Sequence, residues 1–289
     1  MKNTTILFIL FSISLSAQIK GVVKDSISGQ PIAFVNISVE NENIGATSEE
    51  NGEFLINTKE NKNLIFSALG YKRKVVKAAN NLVVKLTQEE VQLDEVVIAK
   101  KYETKEIEIG KTPNATYQAF ENGPKLDTKF FPYLPKYKKT KFIKKVSLFT
   151  DSKIESATVK VHFYAVDANG FPGEKLLKKD LIVTVKSGIK KFLINVSDYN
   201  LKMPKTGIFV GCEKLLIEKN KLEKTIIDAN TNTKKTTTTY FPLLLYNPVE
   251  RDFLFSFSGG KWIKQSKTDE ITGEKKRANE PAITLILTN

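Results

Sequence analysis

The chain is poor in the residues from which most active sites are assembled. Its 289 residues include one cysteine, one histidine, one tryptophan and two methionines. A lone Cys212 leaves no internal disulfide, and with His162 as the only histidine no His-x-x-x-His or Cys-rich zinc set can form. The sequence therefore assigns no metal site, no cofactor and no catalytic residue by motif. No Gly-x-Ser-x-Gly stands on a strand-to-helix turn, and Ser258-Gly259-Gly260-Lys261 lacks the spacing of a phosphate loop. It reads as a turn between strands. Long apolar runs are also missing. Residues 6–15 form a run of about ten, below the roughly 17–25 that a spanning helix needs, and residues 241–246 are only strand-sized.

What is present begins with an export pattern. Lys2 gives a positive tip, residues 6–15 are largely apolar, and Leu15-Ser16-Ala17 ends in small residues. That is a cleavable secretory signal over residues 1–17, with Gln18 the first mature residue. No cysteine stands at the cleavage point to carry a lipid anchor. The expected location is the periplasm or cell envelope, extending to the cell surface or medium, with no transmembrane segment in the mature chain. An exported chain without disulfides needs a core large enough to hold itself.

The net charge of +13 is uneven. Residues 19–100 carry 10 Lys+Arg against 11 Asp+Glu, and residues 101–289 carry 34 against 21. Such an excess can concentrate anionic polymers at a surface. It is nearly all scattered lysine, however, which a solvated surface explains equally well. No basic helix or nucleic-acid module appears, so nucleic acid is not an expected partner.

Residues 19–98 contain only strand-length alternation and turns. Strands are expected over residues 18–24, 34–39, 45–47, 53–56, 64–67, 71–76 and 81–86. Asn51-Gly52 is a hairpin signal, because both residues tolerate positive φ. Pro31 fixes φ at the entry to the second strand. Seven short strands without a helical period make a small β-sandwich.

The runs Ile19-Lys20-Gly21-Val22-Val23-Lys24-Asp25, Gly29-Gln30-Pro31-Ile32-Ala33-Phe34-Val35-Asn36-Ile37, Gly45-Ala46-Thr47-Ser48, Asn51-Gly52-Glu53-Phe54 and Leu64-Ile65-Phe66-Ser67-Ala68-Leu69-Gly70-Tyr71 carry a resemblance. Together they look like the carboxypeptidase-regulatory-like domain of Bacteroidetes envelope proteins. Ser48-Glu49 stands where a Thr-Asp pair is common, and Ala68-Leu69 where an aromatic-isoleucine pair is common. The resemblance implies a transthyretin-like, Greek-key sandwich that is not itself catalytic. Gln92-Leu93-Asp94-Glu95-Val96-Val97-Ile98 is similar to the segment leading into the plug of TonB-dependent receptors, but the residues that follow are too few for a plug and barrel. Asp25-Ser26-Ile27 resembles the short O-glycosylation acceptor of the same phylum.

Residues 99–125 are polar and interrupted by Gly110, Pro113, Gly123 and Pro124, which marks a linker or a loosely packed edge strand around Glu106-Ile107-Glu108-Ile109. Phe130-Phe131-Pro132-Tyr133-Leu134-Pro135 is too apolar for a free linker and should lie against the second domain or between the two. Residues 126–289 hold eight or more strand patterns, which suggests a jelly-roll-like β-sandwich. The chain is thus expected to be all-β, with residues 218–239 a long hairpin or excursion. Residues 144–149, 161–174 and 259–262 resemble, more loosely, sandwich regions of uncharacterised secreted Bacteroidetes proteins.

The remaining candidates each have a structural alternative. Strand alternation places Val159, Val161, Phe163 and Ala165 on the core face and His162 outward with Lys160 and Tyr164, as an exposed strand residue. Cys212 reads as a buried thiol behaving as a small hydrophobe. Asp167 and Asn169 suit a turn better than a calcium site. Tyr133, Phe171, Tyr246 and Trp262 could form an aromatic platform for a sugar, or Trp262 could pack in the second core. The expected function is a non-catalytic envelope module recognising a glycan, an anionic envelope polymer, or an outer-membrane or surface protein. The alternative is a hydrolase of surface polysaccharide or peptidoglycan that uses a carboxylate pair drawn from residues such as Glu213, Glu250 and Asp252.

Overall fold

The computed structural model describes residues 18–89, 102–112, 117–120, 123–227, 233–250, 254–265 and 277–289. The export signal, the segment 92–98 and Asp252 lie outside the described residues. Among the described residues the chain is β-strand throughout, with three short 3₁₀ turns. No helix there is long and apolar enough to cross a membrane.

The first sandwich has the seven strands expected. Gln18–Asp25 lies between Glu53–Asn57, antiparallel, and Leu82–Leu86, parallel. Facing this sheet, Asn36–Val39 lies between Gly45–Thr47 and Asn63–Ser67, and Lys74–Lys77 adds an edge. The inward residues of the two sheets form one apolar cluster, including Val23, Ile37, Phe54, Ile56, Leu64, Phe66, Val84 and Leu86. Phe54 and Phe66 meet edge-on at 5.5 Å. The transthyretin-like sandwich is therefore complete within residues 18–89.

The second sandwich is built from two seven-stranded sheets. In one, Leu126–Phe131 pairs with Ile208–Lys214 and Leu254–Ser258, and Ile208–Lys214 pairs onward to Ala157–Val166. In the other, Phe142–Ser152 lies between Gly188–Asn195 and Ile283–Thr288. Their facing side chains, among them Val146, Leu148, Val159, Val161, Phe163, Val210 and Leu285, make a separate core. This is the jelly-roll-like half. Lys221–Ile227 and Lys234–Tyr240 form a projecting, exposed ribbon, the long hairpin expected there.

Two expectations about chain organisation left alternatives between which the structure decides. The connector 99–125 is not simply a linker: Glu106–Ile109 pairs antiparallel with Ile283–Thr288, the edge-strand alternative. The alternation there buries Ile109 against the second core. Asn289 Oδ1 also accepts the N–H groups of Thr104 and Lys105. Of the two places expected for Phe130 and Phe131, they take the one in the second domain, where they end an interior strand of its sandwich. Phe131 is buried, and Phe130 meets Phe209 at 4.9 Å.

The two sandwiches meet along the outer face of Ala157–Val166. Phe34, with φ of 54°, turns its side chain onto Leu215 and Ile217, a small shared cluster. At the other end, the turn Gly259-Gly260 lies against the first domain. The Asn41 N–H donates to the Gly259 carbonyl at 3.1 Å, and Lys261 Nζ donates to Asn41 Oδ1 at 2.9 Å. Both glycines have positive φ, and a Cβ on Gly260 would stand 2.2 Å from Ile65 Cδ1. Only glycine fits that approach.

Candidate functional site

The seam between the domains contains the main concentration of polar chemistry among the described residues. Lys160 and Glu213 are cross-strand neighbours in Ala157–Val166 and Ile208–Lys214, and His162 faces Gly211 one step along. The period of two places Lys160, His162 and Tyr164 together on the face opposite the core. The first sandwich covers Lys160 and His162, and the aromatic cluster around Trp262 and Phe255 covers Tyr164, so all three are buried. The expectation of an exposed His162 is therefore overturned. Its direction was right, but the outward side of the strand is an interface rather than solvent.

Each charge has a defined partner except one. His162 Nε2 and Glu213 Oε2 are 2.6 Å apart, and Asn36 Nδ2 of the first domain donates to Glu213 Oε1 at 2.8 Å. Lys160 Nζ donates to the Phe34 carbonyl at 2.8 Å and pairs with Asp180 Oδ2 at 3.0 Å. Lys175 lines the same space half-buried, and among the described residues its ammonium makes no hydrogen bond or ion pair. Burial is the largest influence on His162 and holds its pKa below the usual value, and the Glu213 contact only partly offsets it. For Glu213 the penalty of burial is outweighed by the His162 hydrogen bond and by the charges around it, which hold the carboxyl well below the usual range. The pair is best written as carboxylate and neutral imidazole, with the ring N–H donating.

These groups wall a cavity of about 180 Å³. The first domain supplies Asn36, Ser67 and Ala68, and the second adds Tyr164, Phe257 and Trp262 to the charged set. Trp262 stands edge-on to Tyr164 at 5.2 Å and to Phe257 at 5.3 Å. A wider hollow of about 510 Å³ lies on the outer face of the first sandwich, near Lys20, Leu55 and Val83, but it is an open sheet surface.

The four aromatic residues singled out from sequence do not form one platform. Trp262 and Phe171 flank the same aromatic cluster, Phe171 packing on Phe255 at 4.6 Å. Tyr133 packs instead on the main core beside Tyr137. Tyr246 is buried, its hydroxyl donating to Asp127 Oδ2 at 3.0 Å, and it lines a hole of only about 20 Å³. It is not available to a sugar, because its strand faces inward. Of the four, Trp262 alone lines the seam cavity.

The other candidates resolve simply. Cys212 is buried and its thiol is pushed up to about 12 by burial, which leaves negligible thiolate at neutral pH. Asp167 Oδ1 accepts the N–H groups of Asn169 and Phe171 and so holds its own turn. No group of three or more metal-ligating side chains occurs among the described residues. Asp25 Oδ1 likewise closes the turn at Ile27 and Ser28, while Ile27 stands exposed. Sequence reasoning missed Lys160, Lys175, Asn36 and Ser67. The available signal was the run of polar residues opposite the core face of one strongly apolar strand.

Comparison with solved structures returns infectious bursal disease virus structures at low similarity. The infectious bursal disease virus VP2 subviral particle is 11% identical, with 88% of this chain and 56% of that chain covered and a TM-score of 0.23. The Gx strain of the same virus is 9% identical, covering 88% and 60%, with a TM-score of 0.21. The chain thus spans under two thirds of either, and likeness at that level carries no argument about this protein. Among curated proteins none matches. Residues 19–98, by contrast, match the CarboxypepD_reg-like domain family, a match that covers the first sandwich.

Proposed function

We propose that this chain is an exported, non-catalytic binding module of the cell envelope that holds a glycan in the cavity between its two sandwiches. The observation that carries this reading is the seam itself. Both domains contribute polar side chains to one half-open space, and an aromatic side chain forms part of its wall. Mixed donors and acceptors beside an aromatic surface suit a ligand with an apolar ring face and a hydroxylated rim. Such a site needs the regulatory-like domain as a wall and not merely as a spacer.

The hydrolase alternative finds less support at this site. Among the described residues lining the cavity Glu213 is the one carboxylate, and both its oxygens already accept hydrogen bonds. Ser67 shares the cavity but makes no hydrogen bond to His162, the contact a serine nucleophile requires. The test is a panel of neutral and acidic polysaccharides and peptidoglycan, read for both binding and turnover. Saturable binding without turnover is expected. Turnover that disappears in Glu213→Gln would replace this reading with the enzymatic one.

A further inference from the structure

Two polar groups facing the cavity make no hydrogen bond or ion pair among the described residues, and they come from opposite domains, although Glu213 and Asp180 attract one of them, the Lys175 ammonium, at longer range. One is the Lys175 ammonium, on the strand Pro172–Lys175; the other is the Ser67 hydroxyl, at the end of Asn63–Ser67. Both line the cavity, and neither makes a hydrogen bond among the described residues. The other charges there are already satisfied: Glu213 by His162 and Asn36, and Lys160 by Asp180 and the Phe34 carbonyl. Lys175 is thus a half-buried cation with space before it. Withdrawing an ammonium from water without an acceptor is costly, and an anion placed there would offset that cost through a charge-assisted bond.

The space limits what that anion can be attached to. An apolar cavity of about 150 Å³ admits one benzene, so about 180 Å³ admits a single six-membered ring with its substituents. Trp262 forms part of the wall and is only half-buried, which leaves indole surface for a ring face. Resting on the glycan-binding reading above, we propose that the seam cavity holds one carboxylate-bearing pyranose ring, its carboxylate on Lys175, one face against Trp262 and a hydroxyl on Ser67. Such a ligand bridges the two domains. It also differs from diffuse attraction to the lysine-rich surface, because its ion pair is partly buried and so less screened by salt.

Trp262 is the only tryptophan in the chain, so intrinsic fluorescence reports this cavity directly. The mature chain is titrated with galacturonate, glucuronate, galactose and acetate at low and high salt. One or both uronates should change the emission saturably, at least about tenfold more tightly than galactose, and the change should persist at high salt. Lys175→Met should remove that preference, since a hydrogen bond to a charged group is worth about a factor of ten or more. Its thermal midpoint should not fall, since an ammonium without an acceptor is replaced by an apolar chain, so the lost preference is not a loss of folding. Equal binding of uronates and galactose, unaltered by Lys175→Met, would overturn the acidic-sugar assignment and leave the glycan-binding reading standing. Acetate as tight as the uronates would overturn the role given to the ring. No response of Trp262 to any of these sugars, or to a panel of longer glycans, would overturn both.

Discussion

Replacing Glu213 by alanine should destabilise the protein severely, because this carboxylate joins the two domains. The substitution removes the acceptor of His162 Nε2 at 2.6 Å and of Asn36 Nδ2 at 2.8 Å. Glu213 and His162 are both buried but line the cavity, so a water there could replace the carboxylate only in part, as a neutral partner for two donors. Breaking a buried pair by removing one partner costs about 3–5 kcal/mol. Counting two orphaned donors at about 1–3 kcal/mol each gives a similar total. For a chain of this size that corresponds to a fall in Tm of about 6–20 °C. Urea unfolding followed at Trp262 measures the effect where it arises. Glu213→Gln, which keeps one acceptor but loses the charge, should cost about 1.5–3 kcal/mol. Asn36→Ala paired with Glu213→Gln should show a coupling of about 0.5–3 kcal/mol. A loss below about 0.5 kcal/mol for Glu213→Ala would mean that water reaches the pair and that the seam is open, which would refute the reasoning.

Other outcomes follow from the same structure. Stability should decline as pH falls below about 6.5. The folded state holds His162 neutral while the unfolded chain takes up the proton, and burial together with the positive charges of Lys160 and Lys175 outweighs Glu213 in setting that direction. The depressed Glu213 adds a second loss below about 4.3, so His162→Gln should remove the upper step and leave the lower one in a pH series of urea midpoints. Glu280→Ala should cost about 3–5 kcal/mol, because the buried Lys129 ammonium loses the carboxylate 2.8 Å away and keeps weaker neutral contacts such as the Gly110 carbonyl; a cost near zero in chemical unfolding would contradict it. Brief proteolysis should cut first in the ribbon Lys221–Ile227 and Lys234–Tyr240, which is exposed, and spare Glu106–Ile109, which is paired. Early cuts at Lys105 would contradict that pairing. Mass spectrometry of the exported protein should find Gln18 at its N-terminus, and retention of residues 1–17 would contradict the export reading.

The fold was legible from the sequence to the extent that it rests on local signals. Seven turn-bounded alternations gave seven strands, because a period of two and an Asn-Gly turn act within a few residues. The site was less legible, for a reason visible at His162. Alternation specifies which side of a strand faces the nearest core, and it assigned His162 to the other side correctly. It does not say whether that other side meets water or a second domain. Residues Asn36 and Glu213 are 177 positions apart in the chain, and nothing local links them. Tyr246 failed as a candidate for the complementary reason: its aromatic ring and polar tip look alike in sequence whether the hydroxyl meets a ligand or Asp127. The connector was half legible, since Ile107 and Ile109 alternate but their partner strand comes at the other end of the chain.

The central claim is that both domains build one ligand site at their seam. Hydrogen–deuterium exchange of the intact mature chain, with and without a glycan that alters Trp262 fluorescence, tests it most directly. The account predicts added protection in both domains at once, at residues 34–38 and 65–68 of the first and at 158–164 and 173–176 of the second. Protection confined to one domain, or falling on surfaces away from the seam, would contradict it.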